Sequence, residues 1–291
     1  MDTNVYQDIE IYCLECIDQL KYVTETDLKE KLNLQNVPFQ TVSAIMSQSV
    51  QTFLKKSWYK GKDLKYIEQA GTEFITNNKS LHEIALSLSY PPYLVGKMVL
   101  SYIINNNNHN NKNNNINNDL VKKYLKDTSL IQHLKLKKEI DYWYEHDPYT
   151  SPYIDRLKHV TGEEYEFMLM KKLSARNITF KAEEALKLEG AEKTPDALIT
   201  IPFSVRSPSS VHTKDGSSSN KSHIVNWIDS KAMFGDEKEH MKYMKQYTSY
   251  RSRYGPGMVI YWFGYVKTIA NLDQDIFITN DFPLKNNILL M

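Results

Sequence analysis

Cysteine is nearly absent: the 291 residues hold two, Cys13 and Cys16. Three apart in a helical pattern and without a second pair, they cannot complete a four-ligand zinc site, so they read as reduced helix residues. That usage fits the cytosol or the nucleus. Excess charge is missing too. Lys and Arg number 36 against 35 Asp and Glu, a formal net charge of +1, which excludes a histone-like polycation. Nucleic-acid affinity has to come from local patches or metal-bridged phosphates. No run approaches the roughly 20 apolar residues of a membrane span, and the opening MDTNVYQDIEIYCLEC is acidic rather than a basic leader. The chain is expected to be soluble and intracellular, with no membrane contact. The eight histidines form no ligand-spaced pair, although His223 precedes a strand-like run and could approach a site there.

The apolar fraction, 41 %, and the length allow two domains. Residues 1–104 are expected to form an all-helical, helix-turn-helix-like domain. Residues 105–118, almost pure asparagine, bury too little apolar surface to offset the entropy of ordering and are expected to be a flexible insert. A helical connector, 119–161, then leads to an α/β domain over 162–291, whose Ser-rich stretch 206–222 reads as a disordered hairpin tip.

Periodicity predicts helices at 6–22, 26–32, 39–54, 63–77 and 81–88, and again at 120–144. Ser80 with Glu83 makes a capping box, and SYPP breaks the chain before a second helix. This is a helix-turn-helix outline, and equally the outline of a packed helical hairpin that never touches DNA. From Gly162 the order is a helix over 162–175, a short extended ITF, a helix over 181–189, and strands over 196–205 and 224–234. A helix over 237–254 and strands at 258–266 and 275–279 follow, which makes an α/β unit.

Alternation along the second long strand puts Val225, Trp227, Asp229 and Lys231 on one face. Asp196 opens the neighbouring strand. Two acids and a lysine at two strand mouths suit a divalent cation beside a phosphate, and oxygen ligands suit magnesium or manganese. Hydrolysing a phosphodiester needs an activated water and relief of charge on phosphorus; a metal serves the first and a lysine ammonium can orient the water or serve the second. Glu166, three, four and seven residues before Leu169, Met170 and Leu173, reads as an inward acid. Gln246 and Tyr250 share a helix face that could turn toward the site and touch nucleic acid. Tyr243, Tyr247 and Tyr254 also fall at helical spacing and read as core.

The ordered set, Gly162 and Glu166, TPD with Asp196, DSK with Asp229 and Lys231, and QYTSY with Gln246 and Tyr250, resembles the PD-(D/E)XK nuclease superfamily, with Gln246 and Tyr250 like the extra motif of its RecB-like branch. KTPDALITIPFSV, HIVNWIDSKAMFGD and RYGPGMVIYWFG are similar to the eukaryotic, erythropoiesis-linked codanin-interacting nuclease family. The resemblance implies a restriction-endonuclease-like αβββαβ core and a magnesium-dependent nuclease acting on DNA or RNA, in nucleus and cytoplasm. It also implies a codanin-like partner concerned with histone supply and chromatin assembly. It assigns metal ligation to Asp196 and Asp229 with Glu166, catalysis to Lys231, and nucleic-acid contact to Gln246 and Tyr250. Asp229 stands where the superfamily often has glutamate. Two other readings stay open: a buried ion pair tying two strands together, and a non-catalytic nuclease fold that works by gripping a protein partner.

Overall fold

The computed structural model describes residues 1–34, 36–107, 118–206 and 222–290. Most of the asparagine tract and of the Ser-rich stretch expected to be flexible lies outside the described residues. Helices α1 (Thr3–Asp18), α2 (Glu25–Glu30), α3 (Phe39–Ser57), α4 (Leu64–Ile75), α5 (Leu81–Leu88), α6 (Pro92–Asn107), α7 (Asn118–Lys126), α8 (Leu134–His146) and α9 (Pro152–Ser174) come first. Then follow β1 (Phe180–Ala182), α10 (Glu183–Leu188), β2 (Ala197–Arg206), β3 (Ser222–Lys231), α11 (Glu237–Tyr254), β4 (Gly257–Tyr261), β5 (Ile276–Thr279) and β6 (Ile288–Leu290). The fold is mixed α/β. The chain divides into a helical unit, Ile9–Asn36 with Ile45–His159, and a sheet unit, Met1–Asp8, Val37–Ala44 and Val160–Met291. Among the described residues no helix is long and apolar enough to cross a membrane.

In the helical unit the expected capping box forms: Ser80 Oγ accepts the Glu83 N–H at 3.2 Å while Glu83 Oε2 accepts the Ser80 N–H at 2.8 Å. This satisfies two of the donors that a helix start leaves open. Pro92 opens α6, where its missing N–H costs nothing, and buried Asp147 accepts the next one, from Tyr93, at 3.0 Å. Helix α6 packs on α4, α5, α7 and α8, and Val95, Met98, Val99, Leu100 and Ile104 are buried in that core. A helix covered on so many sides presents little face to a DNA groove. The helix expected over 120–144 is interrupted, because Asp127 accepts the Ser129 N–H and His133 caps a fresh start of α8. Cys13 and Cys16 are free and buried, and burial pushes the Cys13 thiol up to about 12.

In the sheet unit the strand order is β1-β2-β3-β4-β5, with β6 also on β2. Strands β1, β2 and β3 pair antiparallel, β3, β4 and β5 parallel. The parallel pair β3 and β4 is joined through α11, as a crossover requires. Leu169 and Leu173 of α9 pack with Ala197, Ile199, Phe203, Val225 and Ile228 on one side of the sheet. Tyr247 and Tyr250 of α11 pack with Trp227, Val259 and Ile276 on the other. Val225 therefore does not share a face with Trp227, as strict alternation predicts. Leu198 pairs with Trp227 and Phe203 with Val225, so four β2 residues oppose Asn226, a bulge that reverses the side-chain sense. Asn226 leaves the ladder and donates its N–H to the Pro256 carbonyl at 3.0 Å. Strand β3 ends at Lys231 and β4 at Tyr261, short of the runs expected from apolarity, because both then enter a turn whose Gly235 bridges Tyr265.

Candidate active site

Pro195 stands two residues ahead of β2, where no ladder donor is needed, and Asp196 follows it at the strand mouth. Asp196 Oδ2 accepts the Ser230 N–H of β3 at 2.6 Å, which clamps the two strand mouths together. Ser230 is held in turn, since its Oγ accepts the Trp262 Nε1–H at 2.7 Å. Next to it Asp229 is 1 % exposed, and its Oδ2 lies 2.6 Å from Lys231 Nζ. Neither Asp229 oxygen has a hydrogen bond of full geometry. Asp196, Asp229 and Lys231 thus come together.

The electrostatics follow from that crowding. Burial raises the Asp196 carboxyl well above its ordinary value, Asp229 raises it further, and Lys231 with the Ser230 N–H only partly oppose them. Burial also raises Asp229, against the pull of the Lys231 ammonium and the neighbouring Tyr247 hydroxyl. Burial by itself would lower Lys231, but Asp229 and Asp196 outweigh it and hold the ammonium above its usual value.

Glu166 is on α9 but not inward: it is exposed at the rim, while Leu169 and Leu173 take the buried positions. Its carboxyl still feels the site. Burial of its end and Glu183 raise it, and Lys231 pulls the other way. Tyr250 is 2 % exposed and its hydroxyl donates to the Thr194 carbonyl at 2.7 Å; Gln246 Nε2 donates to that same hydroxyl at 2.5 Å. The pair therefore braces the loop that carries Asp196. Burial, reinforced by Asp229, raises the Tyr250 phenol to about 12, so it stays a donor. His223 packs on Phe277, ring centroids 4.9 Å apart.

Four residues beside the site were given no part in it by the sequence reading: Glu183, Tyr247, which read as core, Tyr261 and His240. Glu183, first residue of α10, accepts the Thr194 hydroxyl at 3.0 Å and sends its N–H to the Asp196 carbonyl at 3.3 Å. An acid at a helix start reads as a dipole partner, so nothing marked it. Tyr247 and Tyr261 line the buried side, their hydroxyls 3.3 Å apart, and His240 Nδ1 lies 2.9 Å from Tyr261 Oη. Burial lowers the His240 imidazole, which keeps it neutral. Among the described residues no three His, Cys, Asp or Glu side chains close on one point as a cation cage.

Comparison with known proteins gives this site a lineage. A family profile described as a protein of unknown function with a TPD sequence motif matches residues 132–282. Proteins named CDAN1-interacting nuclease 1 are similar along nearly the whole chain. The Xenopus laevis protein is 30 % identical over 264 residues, 88 % of this chain and 80 % of its own. That of Danio rerio is 30 % identical over 277 residues, 92 % and 85 % of the two chains, and the Homo sapiens protein 27 % over 277, 92 % of each. No solved structure matches. Thr194, Pro195 and Asp196 are the tripeptide of the profile's motif, and the match runs on through β3, α11 and β4: the chain belongs to the TPD family of CDAN1-interacting nuclease 1 proteins.

Proposed function

We propose that the protein is a metal-dependent nuclease that hydrolyses phosphodiester bonds of DNA or RNA and works with a codanin-like partner in nucleus and cytoplasm. The order α9, β1, β2, β3, α11, β4 fits a restriction-endonuclease-like αβββαβ core, with the short α10 inserted. The observation that carries the reading is Asp229: a buried carboxylate without a hydrogen bond of full geometry, set beside Asp196 and Lys231 where two strands open. A buried ion pair is a weak brace, and carboxyls pushed up by burial, Asp196 further by the charge of Asp229, suit a cation better than a strut.

The donors are all oxygens, which fits magnesium, with manganese as a substitute. Asp196 and Asp229 would hold the ion, and Glu166 would complete the acidic set from the rim. Bound there, the ion supplies Lewis acidity and a water of lowered pKa. Lys231, held protonated by its two acids, neutralises charge developing on the phosphate rather than taking a proton. The Ser230 N–H fixes one Asp196 oxygen, and Tyr250 with Gln246 keeps the Thr194 segment from drifting.

Purified protein with magnesium or manganese is tested against labelled single-stranded, duplex and branched substrates. Cleavage that requires the metal and disappears in Asp196→Ala is expected. No cleavage in either metal, or equal cleavage by the variant, refutes the reading. The Lys231 contact to Asp229 Oδ2 at 2.6 Å favours a second reading, in which the ion pair is permanent and the fold serves only to grip the codanin-like partner. Calorimetry separates them: magnesium binding lost in Asp229→Asn supports the first, tight partner capture without magnesium binding the second.

A further inference from the structure

The connection from α3 to α4 has a composition that packing does not require. Residues 55–65 hold five lysines, Lys55, Lys56, Lys60, Lys62 and Lys65, against one acid, Asp63. Between them stand Trp58, 60 % exposed, and Tyr59, 51 % exposed, whereas the other three tryptophans are buried or half-buried. An exposed indole forgoes the burial that normally rewards its size. The pair sits on a single 3-10 turn, Trp58–Gly61, that is fastened to the helical unit. Lys60 Nζ donates to the Leu88 carbonyl at 2.7 Å, and Tyr59 packs edge-on to Tyr66 with centroids 5.9 Å apart. Lys62 Nζ stands 3.8 Å from the Trp58 centroid, which makes the indole part of a cationic surface.

Helix electrostatics account for only some of these lysines. Lys55 and Lys56, in the last turn of α3, complement its negative end. Lys65 does the opposite, placing a cation in the first turn of α4, and Lys62 belongs to neither helix. A polyanion gives all four the same purpose. An anionic bilayer would also attract them, but one aromatic turn offers no amphipathic helix face to bury in it.

We propose that this turn binds single-stranded nucleic acid, with a base stacked on Trp58 and Lys55, Lys56, Lys62 and Lys65 against the neighbouring phosphates. An exposed ring needs an unstacked base, which a single strand offers and a duplex does not. The platform lies in the helical unit and depends on neither Asp229 nor a metal.

The full chain is titrated in EDTA, where cleavage cannot interfere, with labelled oligo-dT of about 15 nucleotides, close to the upper site size of single-strand modules. Trp58→Ala is expected to weaken binding about 5- to 150-fold, and Trp58→Phe, which keeps a ring, to restore most of it. Affinity for a duplex is expected to change little in Trp58→Ala. Replacing the four lysines by glutamine is expected to flatten the dependence of log K on log salt by about 2.8, at about 0.7 per phosphate contact. Equal oligo-dT affinity in wild type and Trp58→Ala overturns the proposal, as does Trp58-dependent binding of phosphatidylserine vesicles without binding of oligo-dT. Asp196→Ala is expected to keep its oligo-dT affinity in EDTA, so failure of the nuclease reading leaves this one standing.

Discussion

Replacing Asp196 by asparagine should make the protein more stable and, at the same time, inactive. The side chain is partly buried, and burial together with Asp229 pushes its carboxyl well above the ordinary value. The native state therefore binds a proton more tightly than the unfolded chain, and stability falls as pH rises through that window. At neutral pH, above the ordinary value of an aspartate, holding this carboxyl in the fold is a net cost, whether as a buried anion or through the proton it takes up. Asparagine removes the charge yet retains an oxygen to accept the Ser230 N–H now held at 2.6 Å. A single stabilising substitution is typically worth about 0.5 to 2 kcal/mol, and at about 2–4 °C per kcal/mol for a domain of this size the midpoint should rise by roughly 1–8 °C. Thermal unfolding in EDTA at pH 7 and again near pH 4 checks the sign. The gain should be larger at pH 7 than near pH 4, because on acidification toward its ordinary value the wild-type carboxyl increasingly carries its proton in both states. A variant less stable at pH 7, or a gain that grows toward acid, would refute the electrostatic account.

Other perturbations reach different links. Tyr250→Phe removes the 2.7 Å donor to the Thr194 carbonyl and leaves a buried acceptor unpaired; chemical denaturation should show a loss of about 1–3 kcal/mol, and metal-dependent cleavage should fall with the fold retained. Gly257→Ala would set a Cβ 2.1 Å from Trp227 Cε2, in a core with no slack, so overpacking of about 1–3 kcal/mol or more should appear as a lowered midpoint and altered tryptophan emission. Asp147→Ala strips acceptors from the N–H groups of Tyr93, Tyr149 and Thr150, and should cost about 3 kcal/mol or more, read as loss of helical signal on mild heating. Magnesium binding should release protons in buffer-exchange calorimetry, since Asp196 must give one up to ligate, and release should diminish as pH rises.

Local rules carried most of the elements. The capping box at Ser80 and the bounds of α11 at Glu237–Tyr254 follow from near neighbours in sequence, where turn chemistry and a 3.6-residue period act. Period-two reasoning went astray at Val225 because a bulge is a property of two strands, and one strand's sequence does not announce that four partner residues will face Asn226. Glu166 misled for a related reason: helical spacing says which residues share a stripe, not how wide the covered part of that stripe will be.

What the sequence determined by itself was the chemistry that could be present: two acids and a lysine at strand mouths, a proline just ahead of β2, and a Gln-Tyr pair on one helix face. Only the tertiary structure decided what each would do. Pairing of β2 with β3 brought Asp196 to the Ser230 N–H, and packing of α11 on the sheet turned Tyr250 from a surface group into a brace for the TPD loop. Burial is a collective property, set by every element around a residue, and burial is what raised Asp196 and Asp229 and left Asp229 without full hydrogen bonds.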